Sequence, residues 1–229
     1  TTLFRSRDRM LDNEHGSAEG YFDDNGEFHI KKVDKKEQFG GEVLRQNRAV
    51  IILGLAGGGK SSVFANPISY LIKGRIIDAD VVKAMFDIPE FENAYDNGYG
   101  AGFVHEDSSD IADAVLNTII NENLAKNGNT AKENIVLPKV GNKNTYKLVE
   151  RLIDAGYDVD VYLNEISNES SVMSVAARFA KTGRYIRLSH VGNTPAIQPY
   201  NALKDSYDRG IITRGEWKSN EVGVGEKAD

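Results

Sequence analysis

Four short, largely apolar runs separated by stretches of helical periodicity dominate the chain from residue 49 onward. They cover 49–53, 75–78, 134–137 and 158–163, and the first, Ala-Val-Ile-Ile-Leu, contains no polar position. A continuous apolar run is typical of a strand that is buried on both faces, as the strands of parallel sheets are. The pattern therefore predicts four strands of one parallel sheet.

Between the strands, apolar residues recur at the spacing of a helical turn. Such faces cover roughly 107–126, 148–153 and 169–181; Gly156 is expected to end the second helix and Asn168 to cap the third. Strands that alternate with helices form βαβ units. We therefore expect a three-layer α/β fold in which helices flank a parallel sheet.

The two ends of the chain follow a different pattern. Residues 1–47 are polar and weakly periodic, and Asp24-Asn25-Gly26 predicts a hairpin turn because Asn-Gly adopts positive φ at little cost. We predict a polar N-terminal arm or small β appendage over 1–47 and one main domain over 48–229. Residues 187–229 predict loops, a short helix near 201–208 and a charged tail.

The composition excludes several classes of protein. The 229 residues include no cysteine, which rules out disulfide frameworks, thiol catalysis and Cys-ligated metals and fits a reducing, cytoplasmic location. A net charge of −6 argues against binding long nucleic acid. Without a signal-peptide core or an apolar run near the ~18–20 residues of a membrane span, we expect no membrane partner. The chain begins with Thr1 rather than Met, and we expect a processed or trimmed piece.

A phosphate-binding motif directly follows the first predicted strand. Residues 54–61 read GLAGGGKS, which matches G-x-x-x-x-G-K-S/T, and a helix-capable stretch follows. The glycines let backbone N–H groups surround phosphates, and the next helix adds the positive end of its dipole. The predicted nucleotide-binding residues are Gly54, Gly57, Gly58, Gly59, Lys60, Ser61 and Ser62; Lys60 would reach the outer phosphates of ATP and Ser61 would bind Mg²⁺. A turn that merely links strand and helix is the alternative.

Two acids follow the second predicted strand, at the strand end that should face the phosphate loop. Asp78 and Asp80 stand at i and i+2. One carboxylate can hold Mg²⁺ through water, and the other can accept the proton of an attacking hydroxyl. Capping of the helix that starts near Val81 is the alternative role for one of them.

Two arginines, Arg178 and Arg184, lie at the end of the 169–181 helix and in the loop after it. Positive charge over a transferring phosphoryl group stabilises its equatorial oxygens. The alternative is a solvated helix face with ordinary surface salt bridges.

Taken in order, these pieces resemble the zeta toxin kinases of toxin–antitoxin systems. The resemblance covers roughly 49–186 and rests on 51–61, 77–83, 104–109, 152–159 and 178–184. It implies a P-loop kinase domain that uses ATP and Mg²⁺ to phosphorylate the sugar 3′-hydroxyl of UDP-N-acetylglucosamine, and an antitoxin protein that covers the P-loop. The roles it implies are Asp80 as general base, Lys60 and Ser61 for nucleotide and metal, Arg178 and Arg184 as γ-phosphate clamp, and Asp78, Lys83, Glu106 and Asp113 on the acceptor side.

One segment departs from the family pattern. After the third strand the family usually carries Glu-Gly-Thr, whereas this chain reads Leu137-Pro138-Lys139. A carboxylate that contacts the acceptor is therefore missing. Lys139 is predicted to pair with a phosphate of the acceptor or with an acid of its own sheet, or to be an exposed loop charge. A different acceptor (a nucleic-acid end, an antibiotic or a dinucleotide) and a non-catalytic module gated by NTP remain open.

Overall fold

The computed structural model describes residues 7–8, 10–12, 16–31, 40–84, 104–122, 131–182, 186 and 191–219. Its strands are β1 (Gly20–Phe22), β2 (Phe28–Ile30), β3 (Arg48–Gly54), β4 (Arg75–Ile76), β5 (Ile135–Lys139), β6 (Asp158–Glu165) and β7 (Gly215–Ser219). β3 to β7 form one sheet in the order β4-β5-β3-β6-β7, and every pairing is parallel. The predicted α/β class and all four predicted strands are confirmed.

Helices connect these strands and flank the sheet. They are α1 (Asn66–Ile72), α2 (Ala79–Ala84), α3 (His105–Ile120), α4 (Thr145–Asp154), α5 (Asn168–Thr182) and α6 (Ile197–Asp208). The helix predicted over 107–126 ends earlier, at Ile120, and residues 123–130 lie outside the described ranges. Within those ranges, no helix combines the length and hydrophobicity that crossing a bilayer requires.

Strand β3 positions the phosphate loop at the centre of the sheet. Ala49 to Leu53 are at most 2% exposed, because β5 and β6 cover both edges of β3 and helices cover its faces. The parallel register pairs Leu53 with Lys139 and Gly54 with Asn164. The carboxyl ends of three strands therefore open onto one edge, directly beside the loop that follows Gly54.

Two local expectations are wrong. The α5 N-cap is Ser167 rather than Asn168, because the Ser167 hydroxyl accepts the N–H of Ser170 at 3.1 Å and its carbonyl accepts that of Ser171 at 3.0 Å. Residues 187–229 also contain a strand that the pattern did not predict: β7 pairs with β6 as an edge strand of the sheet.

Gly156 ends α4 as predicted, with φ of 87°. The N–H groups of Gly156 and Tyr157 return to the carbonyls of Ile153 and Leu152, at 2.8 and 3.0 Å. A glycine in this position closes a helix without strain in the backbone.

The N-terminal segment forms the predicted hairpin and also reaches the sheet. β1 and β2 pair antiparallel around a turn in which Gly26 has φ of 76°. Before the hairpin, the carbonyl of Gly16 accepts the N–H of Ile76 at 3.1 Å, and Met10 is 2% exposed within the main core. The N-terminal segment thus lies against edge strand β4; the division of the chain at residue 47 stays a prediction.

Candidate active site

The loop after β3 has the backbone geometry of an anion-binding nest. Gly57 and Gly59 adopt left-handed conformations, with φ of 75° and 79°, which side chains with a Cβ rarely tolerate. Lys60 folds back over the loop, where its Nζ donates to the carbonyls of Gly54 at 2.9 Å and Leu55 at 2.7 Å. The loop thus combines successive glycine amides with a lysine ammonium, the two phosphate-binding features of a P-loop.

The helix that follows the loop starts with an unusual turn. Lys60–Ala65 is wound as a π-helix, and the N–H of Asn66 accordingly returns to the carbonyl of Ser61 before regular α1 begins. Such π segments are rare and are frequent at functional sites. Ser61 is exposed in this first turn, and the Ser62 hydroxyl donates to the Gly59 carbonyl at 3.2 Å.

Charged side chains converge on this loop. Burial lowers the pKa of Lys60 to about 8; the charge of Arg178 adds to the shift, and those of Asp78 and Asp80 oppose it. Burial and the negative charge of Asp80 raise the pKa of Asp78. The hydrogen bond from the Asp80 N–H and the positive charges of Lys60 and Lys139 partly offset this rise. These five residues therefore belong to one charge network at the carboxyl edge of the sheet.

Asp78 and Asp80 differ in local role. Asp78 caps α2: its Oδ1 accepts the N–H of Asp80 at 3.0 Å, and its carbonyl accepts those of Val81 and Val82. Asp80 lies in the first turn of α2 with 41% of its side chain exposed. Asp78 therefore caps the helix through one carboxylate oxygen, whereas Asp80 has the exposure that a base needs in order to meet an acceptor hydroxyl.

Lys83 lies against the candidate base rather than in solvent. Its side chain is 7% exposed, and its Nζ donates to Asp80 Oδ1 at 3.0 Å and lies 3.2 Å from His105 Nδ1. Lys83 and Asp80 are three residues apart on α2, and His105 is the first residue of α3. The packing of α2 on α3 therefore holds the Asp80 carboxylate beside a buried positive charge.

The remaining acceptor-side residues separate into two sets. Lys139 Nζ lies 3.8 Å from Asp113 Oδ1, with side chains 33% and 67% exposed. Among the described residues, the ion-pair partner of Lys139 is therefore Asp113 of α3, and its charge also acts on Asp78 after β4. Glu106 is exposed in the first turn of α3, and the described contacts do not join it to the charge network.

Helix α5 brings Arg178 and the phosphate loop together. Arg178 is half-buried, and its charge acts on Lys60. Two turns earlier on the same helix, the Ser171 hydroxyl donates to the Ala56 carbonyl at 2.6 Å. From the end of β6, Asn164 Nδ2 donates to the carbonyl of Gly58. Arg184 lies outside the described residues.

Sequence reasoning missed both Ser171 and Asn164. A polar residue at the end of a buried strand is a usable signal for Asn164. The spacing of Ser171 from Arg178 by two helical turns is the corresponding signal for Ser171, because residues at that spacing share a helix face.

One group of three potential metal ligands occurs among the described residues, away from this loop in sequence. Ligand atoms of Asp23, Glu27 and His29 lie within 4.8 Å of one another in the β1–β2 hairpin. Asp23 Oδ1 already accepts the N–H groups of Asn25 and Glu27, and Oδ2 lies 3.0 Å from His29 Nε2. His29 and the turn N–H groups lower the pKa of Asp23 to about 2. The hairpin turn therefore accounts for the cluster.

A parallel sheet with a G-x-x-x-x-G-K-S loop at the carboxyl end of its central strand defines a P-loop α/β fold. More narrowly, the chain belongs to the zeta toxin family, whose sequence profile, described as Zeta toxin, matches residues 33–195. Family and fold together support a phosphotransferase. No curated protein matches the chain significantly.

Solved structures agree with this fold. The PezAT chromosomal toxin–antitoxin system of the human pathogen Streptococcus pneumoniae is similar at 19% identity and a TM-score of 0.50, covering 79% of this chain and 70% of that one. The AvrRxo1-ORF1:AvrRxo1-ORF2 complex with sulphate ions is similar at 16% identity and a TM-score of 0.60, covering 95% and 62%. The same complex with ATP is similar at 16% identity and a TM-score of 0.53, covering 72% of this chain and 51% of that one. The chain thus spans only about half to two thirds of the AvrRxo1 chains.

Proposed function

We propose that this protein is a kinase that transfers the γ-phosphoryl group of ATP to a hydroxyl of a nucleotide sugar, with UDP-N-acetylglucosamine as the acceptor that the family implies. The carrying observation is that Lys60 of the phosphate loop shares one charge network with Asp78, Asp80 and Arg178. A loop that merely linked strand and helix would not require acids and an arginine at the same edge.

In the proposed reaction, the protein acts mainly by positioning and by neutralising charge. The loop amides and Lys60 hold the phosphates of ATP. Arg178, and Arg184 from the same segment of sequence, stabilise the equatorial oxygens of the transferring group. Asp80 accepts the proton of the acceptor hydroxyl, whose oxygen attacks the γ-phosphorus while the bond to the ADP leaving oxygen breaks.

The chemistry of the donor set fits Mg²⁺. Ser61 and Asp78 offer the hard oxygen ligands that Mg²⁺ prefers. The negative charge of Asp80 contributes to the raised pKa of Asp78, and a cation near Asp78 would relieve that repulsion. When bound, Mg²⁺ would neutralise phosphate charge.

The acceptor side is proposed to comprise Lys83, Glu106, Asp113 and Lys139. The second candidate, a different acceptor such as a nucleic-acid end, an antibiotic or a dinucleotide, is motivated by the missing acid beside Lys139; Lys139 itself fits any acceptor that carries a phosphate. It places a positive charge close to Asp78, where it partly offsets the rise in the pKa of that carboxyl that burial and the charge of Asp80 cause. Its partner Asp113 is 67% exposed and 3.8 Å away, and exposed pairs of this kind contribute only about 0–1 kcal/mol. An anionic acceptor group can therefore replace Asp113 as the partner of Lys139.

An antitoxin protein is proposed as a partner because, like the acceptor, it is implied by the zeta toxin family. The similar structures are described as a toxin–antitoxin system and as a two-protein complex. An antitoxin that covers the phosphate loop would keep ATP away from Lys60.

The test is transfer of label from γ-labelled ATP, with Mg²⁺, to a panel of nucleotide sugars and to other hydroxyl acceptors. We expect a labelled nucleotide sugar with the wild-type protein and none with Lys60→Ala. Transfer only to another acceptor, identified by mass spectrometry, would favour the second candidate. Tight ATP binding without any transfer would indicate a nucleotide-gated binding module and contradict the proposal.

A further inference from the structure

We propose that Ser171 and Asn164 are positioning residues that hold the phosphate loop in its ligand-binding conformation by fixing two of its peptide groups from outside. The inference rests on the proposed function only in so far as the loop binds phosphate; it does not depend on the acceptor or on transfer. Neither residue belongs to the G-x-x-x-x-G-K-S motif.

The two contacts are buried and come from one β–α unit. Ser171 is 0% exposed, and its hydroxyl donates to the carbonyl of Ala56 at 2.6 Å. Asn164 is 1% exposed, and its Nδ2 donates to the carbonyl of Gly58. Since β6 and α5 follow each other directly in the chain, both contacts come from one supporting element.

The direction of these contacts determines where the loop amides point. A trans peptide is planar, and its C=O and N–H point in opposite directions. A carbonyl of Ala56 held toward α5 therefore turns the N–H of Gly57 the other way, and a carbonyl of Gly58 held toward β6 does the same for the N–H of Gly59. Two of the amides that form an anion nest are thereby oriented before a ligand arrives.

The loop also packs closely against the same β6–α5 unit. A Cβ on Gly57 would lie 2.8 Å from Val175 Cγ2, and one on Gly58 would lie 3.2 Å from Asn164 Nδ2. The glycines therefore allow close approach as well as positive φ.

The same support also carries Arg178. Ser171, Val175 and Arg178 stand at i, i+4 and i+7 on α5 and share one helix face. The element that orients the loop amides thus also sets the position of the arginine proposed to contact the γ-phosphate.

The test measures phosphate binding directly, by calorimetry with ATP and with inorganic tripolyphosphate. For Ser171→Ala and for Asn164→Leu we expect roughly three- to tenfold weaker binding, the range for one hydrogen bond. ATP and tripolyphosphate should weaken by the same factor, since only phosphate contacts change. Ser171→Thr, which keeps the hydroxyl, should recover most of the affinity.

Ser206→Ala is the matched control. Ser206 is 1% exposed, and its hydroxyl donates to the Ala202 carbonyl within α6 at 2.9 Å. Loss of this buried hydroxyl should change thermal stability to a similar degree as Ser171→Ala and leave both affinities unchanged.

Wild-type affinities in both Ser171→Ala and Asn164→Leu would overturn the inference, as would weakening for ATP alone. If either result came with intact phosphoryl transfer, the proposed function would still stand. Conversely, weakened tripolyphosphate binding in the variants of a protein that transfers no phosphoryl group would support the positioning role and contradict the proposed function.

Discussion

Replacing Glu133 by leucine would remove the carboxylate that pairs with the buried Arg75 guanidinium. The Arg75 and Glu133 side chains are 1% and 6% exposed, and Arg75 Nε and Nη2 donate to the two carboxylate oxygens at 2.7 and 3.2 Å. Arg75 also donates to main-chain carbonyls of residues 10–12. The ion pair thus joins edge strand β4, the start of β5 and the N-terminal segment.

The magnitude follows from this burial. Removing one partner of a buried ion pair costs about 3–5 kcal/mol, because the remaining charge stays desolvated while it loses that attraction. Arg45 Nη2 also lies 3.6 Å from Glu133, but Arg45 has a closer ion pair with Glu122 at 2.8 Å. The loss of stability in the variant therefore comes mainly from Arg75. At about 2–4 °C per kcal/mol for a chain of this size, Glu133→Leu should lower Tm by about 6–20 °C.

The assay is thermal and urea unfolding of a double-mutant cycle with Glu133→Leu and Arg75→Met. We expect the double variant to lose clearly less stability than the sum of the single losses, since neither charge is then left alone. Lys204→Ala is the control, because Lys204 pairs with Asp208 at the surface, with side chains 56% and 61% exposed, and should cost no more than about 1 kcal/mol. A Glu133→Leu loss no larger than that of the control, or strictly additive single losses, would refute the reasoning.

Two further predictions concern the candidate base and the core. Lys83→Met removes the buried ammonium that holds Asp80, so kcat should fall by up to about a hundredfold while the affinity for ATP stays unchanged. Steady-state kinetics measures kcat, and calorimetry measures ATP affinity. An unchanged kcat would contradict this prediction. Tyr157→Phe should raise stability by about 1 kcal/mol, because the hydroxyl is buried without a partner among the described residues. Burial, and then the charges of Glu133 and Glu122, raise the pKa of Tyr157. The folded protein therefore retains a proton that the unfolded chain loses, and stability should fall above pH of about 10 in the wild type. Urea unfolding across the alkaline range should show a smaller fall in Tyr157→Phe; parallel curves for the two proteins would contradict it.

Local patterns were sufficient to predict the central part of the fold. The apolar run of β3 allows only a strand covered on both faces, and GLAGGGKS after it predicts the turn that Gly57 and Gly59 make. Strand order was not predicted, because it depends on which edges meet in three dimensions. β7 was missed for a related reason: as an edge strand it reads Gly-Glu-Trp-Lys-Ser, with little apolar signal, and it is defined by its pairing with β6.

The candidate site was predictable only where a motif fixes the spacing. Asp78 and Asp80 follow from their place at a strand end, and their charges act on Lys60; their roles stay predictions. The contact of Lys83 with His105 joins positions 22 residues apart. The pairing of Lys139 with Asp113 likewise depends on how α3 packs beside β5. Contacts between distant segments have no local signal, so sequence reasoning could assign Lys83 and Lys139 only to the acceptor side in general.

The role of Asp80 as general base is tested by comparing the wild type with Asp80→Asn, using calorimetry for ATP binding and γ-labelled ATP for transfer to the acceptor found with the wild type. We expect Asp80→Asn to bind ATP with wild-type affinity or better, because a negative charge beside the phosphates is removed. Its transfer rate should fall by at least about a hundredfold, the contribution of a positioned base. Transfer at the wild-type rate by Asp80→Asn would contradict the role of Asp80 as general base, and an absence of ATP binding by the wild type would contradict the account as a whole.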